Sequence, residues 1–563
     1  MINRFNTSKT ISKIIPEGSA RSRKRQLRGI ATTIIFALAT LGCSSNPTIP
    51  EGTIGYVGGF LGGVVADEPR ASLIGNEILS RGGSAADAVS AMYFVLSVTM
   101  PSRAGIGGGG MCVAFDVKTG KTEALDFTAI APTHVPPSSD RPSAVPGNPR
   151  GFFALQARHG NLMWREIIAP AEQLARFGFV TSRAFARDLK SIGPAVLADP
   201  GARAMFAGKS GRQVALEGET LKHFDLSTTL SSFRARGVGP FYAGSFARIF
   251  VDAVNQAGGS LAIEDMRGFI PKWRDTVRVE VGNEVAHFAP PPAAASTVAA
   301  VMLAMLEEDG SYDSGDAGER AHLIAETGLR AFADRSSWLD VNGHSTRSSK
   351  DIVAPSQIEH VMKGMRRDQR TPLSALQPKP QNRRESPSST GFSAVDALGN
   401  AVSCTVTMNA AFGTGRVAQG TGVLLASVPN INGRGPIGLA PMLLVNENSK
   451  EFRLAATASG GVAAPSALIS VVANVVYGEQ NIKAAVAQPR VHLSGNPNVT
   501  YVEQSVDLKT LNALAKAGHH TQTTPVIGLV NALSCPDGLP TVPDTCQMAS
   551  DPRGVGLASG TMN

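Results

Sequence analysis

Residues 388–415 read SSTGFSAVDALGNAVSCTVTMNAAFGTG. A strand pattern starts abruptly at Phe392, runs to Val395, turns over 397–400 and resumes over 401–409. In the second half Val402, Cys404, Val406 and Met408 alternate with Ser403, Thr405, Thr407 and Asn409. A period of two gives a strand one apolar face for the core and one polar face to line a site. Just upstream, residues 365–388 are rich in Arg, Lys, Pro, Gln and Ser and poor in apolar side chains, the mark of an exposed, flexible stretch. A hydroxyl at this junction can attack the carbonyl that precedes it. Hydrolysis of the resulting ester frees a new α-amine, which then serves as general base for the hydroxyl beside it. Taken locally, Ser388-Ser389-Thr390 is more commonly just a turn.

Further out, alternating helix and strand signals begin near Tyr56. A helix is expected over 71–80, stopped by Gly82-Gly83. Ser84 caps a second over 85–98, with Ala88, Met92 and Val95 on one face. After the run Gly107-Gly108-Gly109-Gly110 a strand over 111–117 turns at 118–121 and returns over 122–127 as a hairpin. Residues 151–364 read as mainly helical, most clearly at 164–177 and 297–306. There are no internal repeats.

The stretch from Ser389 to Gly415 resembles, without a gap, the signature of the γ-glutamyltransferases. Further resemblances follow in the family's order: Gly82-Gly83-Ser84-Ala85-Ala86-Asp87-Ala88, the four-glycine run, Val145-Pro146-Gly147, Ala169-Pro170-Ala171, Phe241-Tyr242, residues 288–292, Ala331-Phe332-Ala333-Asp334-Arg335 and Asp551-Pro552-Arg553. Together they cover the chain from about Tyr56 nearly to its end. The resemblance implies an α+β fold, the αββα sandwich of the N-terminal-nucleophile hydrolases. It also implies self-cleavage between Ser388 and Ser389 into a large chain (43–388) and a small chain (389–563) that stay paired. Ser389 falls where the family has a nucleophilic Thr, Thr407 on a hydroxyl beside it, and Asn409 on a polar group lining the pocket. Gly460-Gly461 fall on a pair whose N–H groups form an oxyanion hole, a role open to glycine because its backbone can approach the substrate closely.

Several family positions are changed. The Arg that grips a substrate α-carboxylate follows an Asp-aromatic pair; here that pair is Asp126-Phe127 and the next residue is Thr128. The Glu after it is Ala129, and a carboxylate-binding Ser pair is Ile437-Gly438. A Gln and an Asp correspond roughly to Val428 and Ile431, and the His two residues past the nucleophile is Gly391. Bidentate Arg–carboxylate recognition is strong and geometry-specific. The catalytic end is therefore better kept than the recognition end.

The formal charge of +8 misleads, because residues 1–42 carry eight basic side chains and one acid. The remainder is near neutral, which argues against nucleic acid as a partner. A basic stretch ending at Arg28 precedes an uncharged run over 29–42, shorter than the ~20 residues that span a bilayer. This reads as a signal peptide, 1–42, for export to the periplasm. Ala39-Thr40-Leu41-Gly42-Cys43 resembles a bacterial lipoprotein cleavage site that would put a lipid tether on Cys43; Thr40 is unusual there and leaves plain secretion open. Cys535 and Cys546 flank a Pro/Gly/Asp-rich loop suited to a disulfide outside the cytosol. Cys112 and Cys404 read as buried small hydrophobes.

No cysteine pair has zinc spacing, the glycine run lacks the Gly-Lys-Ser/Thr of a phosphate loop, and His519-His520 read as a solvated pair. No metal or cofactor is expected. Three functions stay open. One is a γ-glutamyltransferase or hydrolase acting on glutathione-like amides. Another is an amidase of the same fold for a different, less charged acyl group. The last is an envelope protein whose catalysis has decayed.

Overall fold

The computed structural model describes residues 59–340, 343–376, 388–429 and 438–560. Strand β1 (Gly62–Ala66) leads into helix α1 (Pro69–Ser80), whose N-terminus is capped by the Glu68 carboxylate on the Ala71 N–H. The helix stops where Gly82 takes φ +79°, a left-handed conformation glycine adopts without strain. Helix α2 (Ala85–Thr99) opens with a capping box, Ser84 and Asp87 each bonding the other's backbone N–H. All of its residues are buried, in keeping with a sequence that is small or apolar on every side. The one-turn helix α3 (Pro101–Ala104) and the hairpin β2 (Gly109–Asp116) and β3 (Lys121–Phe127) follow.

The middle segment contains α4 (Trp164–Phe177) and α5 (Arg183–Ile192), then β4 (Lys272–Arg274), β5 (Val277–Val281), β6 (Glu284–Phe288), α6 (Ala294–Asp309) and α7 (Ala317–Trp338). After it come β7 (Ser389–Asp396), β8 (Ala401–Thr407), β9 (Ala440–Asn446), β10 (Glu451–Ser459), α8 (Ala464–Val476), β11 (Leu529–Leu539), β12 (Gln547–Ala549) and β13 (Leu557–Gly560).

Two antiparallel sheets result. One has the order β13-β1-β7-β8-β2-β3-β4, the other β12-β11-β10-β9-β6-β5. Between them packs a core that includes Met111, Val113, Val395, Leu443, Val445, Ala455 and Leu533. The outer face of the first sheet is covered by α2, α4 and their neighbours, and that of the second by α6, α7 and α8. This is the αββα sandwich expected from the sequence. Both sheets mix strands from before and after Ser389, so the two segments fold as one body.

Some readings change. β5 and β6 lie in the segment read as helical, although buried Val277, Val279 and Val281 do alternate with exposed Arg278 and Glu280. β7 starts three residues before Phe392, because its ladder to β8 continues through Ser389, Thr390 and Gly391, which are too small or polar to show in an apolar pattern. Cys112 and Cys404 are not free hydrophobes. They are directly paired across β2 and β8 and form a disulfide, a partnership visible only once strand register is known. A second disulfide joins Cys535 and Cys546. His519 is not solvated either: it is buried, with Nε2 2.8 Å from His322 Nδ1 and Nδ1 2.9 Å from Thr500 Oγ1, while His520 alone is exposed. Burial, then the charges of His322 and Arg370, push the pKa of His519 down to about 3, so the ring is neutral. Among the described residues no helix is long and apolar enough to cross a membrane. Cys43, Ile431 and Ile437 lie outside the described residues.

Candidate active site

Ser389 is the first residue of β7, paired with Thr407 at the end of β8. Its strand neighbours alternate: Thr390, Phe392 and Ala394 turn to the helices, while Gly391, Ser393 and Val395 turn to the second sheet. Phe392 and Ala394 accordingly pack in the helix-side core, and Val395 in the core between the sheets. Ser389 belongs to the inner row. Its Oγ is buried and has no hydrogen-bond partner.

The Thr407 hydroxyl sits against the peptide bond that precedes Ser389. It donates to the Ser388 carbonyl oxygen at 3.2 Å and accepts from the Asn409 N–H at 3.0 Å. Ser388 Oγ lies 3.2 Å away as a second donor to it. One hydroxyl has one proton and two lone pairs, so all three contacts are satisfied together. The 388–389 carbonyl is thus polarised by a fixed donor, next to a hydroxyl with no other engagement.

The second sheet supplies the opposite wall. A Cβ placed on Gly391 would lie 2.3 Å from Thr457 Oγ1, so β7 and β10 are in close contact there. Ser403 Oγ bonds the Ala456 carbonyl one step deeper. From that contact β7 runs on to Ser389, and β10 runs on to Ser459 and the glycine pair Gly460-Gly461. These glycines have φ of +133° and +63° and stand where β10 gives way to α8. The first N–H groups of a helix have no acceptor within it. Behind them, a Cβ on Gly460 would come within 2.7 Å of Gly528 Cα. Arg490 anchors that segment by donating to the Ile527 and Gly528 carbonyls, and is itself paired with Asp551 at 2.7 Å. The motif Asp551-Pro552-Arg553 therefore braces the glycine turn from behind.

Asn409 is buried with φ +61°, a left-handed backbone that Asn tolerates better than most residues. Its Nδ2 donates to the Ser427 carbonyl at 2.8 Å, while its Oδ1 is buried without a partner. Thr128 ends up differently. β8 pairs Thr407 with Gly109, and just past the end of β3 the 127–129 backbone crosses the position that a Cβ on Gly109 would take. The Thr128 hydroxyl donates to Asp126 at 2.8 Å, and Asp126 in turn holds Arg274 at 2.9 Å. The short side chain is thus tied back to Asp126, and the nearby arginine is already engaged. Val428, also on this side, is buried and apolar.

On its other flank β7 is bonded unusually. The ladder from β1 ends at Ala66 opposite Phe392, so residues 389–391 have no strand beside them there. Side chains fill the gap. Arg103 Nη1 donates to the Ser389 carbonyl at 3.2 Å, and Asn531 Nδ2 to the Gly391 carbonyl at 3.0 Å. Asp67 accepts from Thr390 Oγ1 at 2.7 Å and from Asn531 at 2.8 Å. Asp188 grips Arg103 with both oxygens, at 2.8 and 2.7 Å. Burial raises the Asp67 pKa, only partly countered by Thr390 and Arg103. Burial opposes the charge on Arg103, but the Asp188 carboxylate more than offsets it and holds the guanidinium above its ordinary range. Asp67, Arg103, Asp188 and Asn531 had no signal in the sequence, where they are isolated residues scattered over more than four hundred positions. Among the described residues no group of His, Cys, Asp and Glu could hold a metal ion.

Comparison with known proteins bears on the family and the fold. The family model described as gamma-glutamyltranspeptidase matches residues 71–428 and 434–561. The chain is 27% identical to the glutathione hydrolase proenzyme of Escherichia coli (strain K12), over 94% of this chain and 98% of that protein. It is 28% identical to the acylase ACY 1 proenzyme of Pseudomonas sp. (strain V22), over 85% and 91%. Among solved structures, the cephalosporin acylase from Bacillus halodurans superposes with a TM-score of 0.75 at 22% identity, covering 92% of this chain and 99% of that one. That likeness is one of fold.

Proposed function

The chain belongs to the gamma-glutamyltranspeptidase family and is an enzyme of that glutathione-hydrolase-like and acylase-like kind; from that premise we propose that it is an N-terminal-serine amide hydrolase and acyltransferase, self-cleaved between Ser388 and Ser389. The observation that carries this reading is the free Ser389 Oγ beside a carbonyl already held by Thr407. In the precursor Ser389 Oγ attacks the Ser388 carbonyl carbon. The C–N bond breaks as the amine takes a proton, and water hydrolyses the resulting ester. The Ser389 α-amine is then free to accept the Ser389 hydroxyl proton as that oxygen attacks a substrate amide. The N–H groups of Gly460 and Gly461 receive the developing oxyanion, and the same proton passes to the leaving amine. Water or a second amine releases the acyl group from Ser389.

Glutathione-like γ-glutamyl amides are the substrates to expect from the relatives' names. The tethered Thr128 favours a second reading of the acyl pocket: an acyl group with no α-carboxylate, or with one held only weakly. The two disulfides suit an oxidising compartment. We further propose that residues 1–42 direct export and that a lipid on Cys43 tethers the protein to the envelope. Mass spectrometry of the purified protein, reduced to open the Cys112–Cys404 bridge, tests the central claim. It should find a small chain beginning Ser389-Thr390-Gly391, absent in Ser389→Ala. A single intact chain in the folded wild type, or a small chain beginning at Thr390, overturns it.

A further inference from the structure

The β1 ladder stops three residues short of Ser389, and the side chains that take its place come from otherwise unrelated parts of the chain. We propose that Arg103, locked by Asp188, is a positioning residue: it fixes the peptide plane that follows Ser389 and thereby aims both the hydroxyl and the α-amine. The inference rests on the reading of Ser389 as an N-terminal nucleophile.

The argument is one of remaining restraints. While the chain is intact, the Ser389 Cα is held by a peptide plane on each side. Cleavage removes the plane toward Ser388, with its contacts to Thr407. Only the Ser389–Thr390 plane then fixes the direction from which the amine and the hydroxyl project. On the β8 side backbone pairing supports that plane. On the β1 side the Ser389 carbonyl oxygen is held by Arg103 Nη1.

An arginine suits the task because its guanidinium is rigid and has donors left after a two-point grip on a carboxylate. Asp188 takes Nε and Nη2, is further fixed by Ser102 Oγ at 2.7 Å, and leaves Nη1 for Ser389. Arg103 and Ser102 both lie on α3, and Asp188 on α5, all upstream of the cut. The large chain therefore aims the first residue of the small one. Asp188 also balances the guanidinium charge, so the clamp acts through geometry.

Steady-state kinetics on the matured protein test this, with Ser389→Ala as the blank. Arg103→Gln should lower kcat by roughly 10- to 100-fold with KM within about threefold, since misplacement of a reacting group acts on the chemical step. Arg103→Lys, which can still reach the carbonyl but cannot fork onto Asp188, should recover part of the loss. Asp188→Asn keeps Arg103 in place with a looser grip and should fall between wild type and Arg103→Gln; it serves if Arg103→Gln does not fold. Wild-type kcat in Arg103→Gln, or in Asp188→Asn where the former is not folded, overturns the proposal. So does a raised KM with kcat unchanged, which would make Arg103 a substrate-binding group. If wild type itself neither cleaves nor exceeds the blank, the reading of Ser389 is what has failed.

Discussion

Ser389 opens β7 and Thr128 follows the end of β3 in the same sheet, yet the two places are differently equipped. At the Ser389 end each polar group beside the reacting bond has a defined partner or is left free where a reaction needs it. Thr407 is on the carbonyl, and Ser389 Oγ is unengaged. At the Thr128 end the polar groups satisfy one another: Thr128 bonds Asp126, and Asp126 bonds Arg274. Under the proposed function, bond-making and acyl recognition fall to separate parts of this fold. One can be kept while the other is altered, because β8 and β2 stand between β7 and β3.

The largest effect should come from the Thr407 end. Thr407→Val keeps the shape and removes the donor on the Ser388 carbonyl. Loss of one preorganised donor of this kind costs roughly 10²- to 10³-fold in rate. Self-cleavage of freshly made precursor, followed on reducing gels, should slow by about that factor. Cleavage at the wild-type rate would mean that the carbonyl is activated by something else.

A smaller effect should appear at the recognition end, and only with one kind of substrate. A hydrogen bond to a charged group contributes about 1.5–3 kcal/mol, so the missing Arg should lower kcat/KM for a γ-glutamyl anilide by one to a few powers of ten. An anilide of a simple acyl group should be cleaved as well or better. Thr128→Arg should raise γ-glutamyl turnover by roughly tenfold and leave the simple anilide unchanged. If the γ-glutamyl compound already wins by several powers of ten in the wild type, another residue grips its carboxylate.

The same division explains what the sequence disclosed. Periodicity located α2, the β2–β3 hairpin and the polar row of β8, because each is a local repeat of 3.6 or two residues. Thr407 and the glycine pair are picked out through resemblance, since motif order marks them. The clamp on the other flank of β7 was not found: Asp67, Arg103, Asp188 and Asn531 meet only when five segments are folded together, and none lies in a local pattern. His519 was misread because it is adjacent to exposed His520, although adjacent residues commonly face opposite ways. The Cys112–Cys404 bridge escaped for a related reason. Sequence separation is 292 residues, and only the register of β2 on β8 brings the two opposite each other.

That bridge gives the smallest expected effect on chemistry and a control for the whole comparison. Cys112 and Cys404 are on the helix-facing side of β2 and β8, in the core with α2, whereas Thr405 and Thr407 are on the face toward the second sheet. Under the proposed cleavage, Cys112 belongs to the large chain and Cys404 to the small one, so the disulfide joins them covalently. A denaturing gel should then show one band without reductant and two with it. The double variant Cys112→Ala, Cys404→Ala should lose about 2–4 kcal/mol of stability. In a chain this large that lowers Tm by roughly 5 °C. Its kcat/KM, measured well below Tm, should stay within about threefold of wild type, because nothing on the inner face of β8 is touched. Two bands without reductant would show that the bridge does not form. A tenfold fall in kcat would show that the two faces of β8 are coupled, and that Thr407 depends on the packing behind it as well as on its own hydrogen bonds.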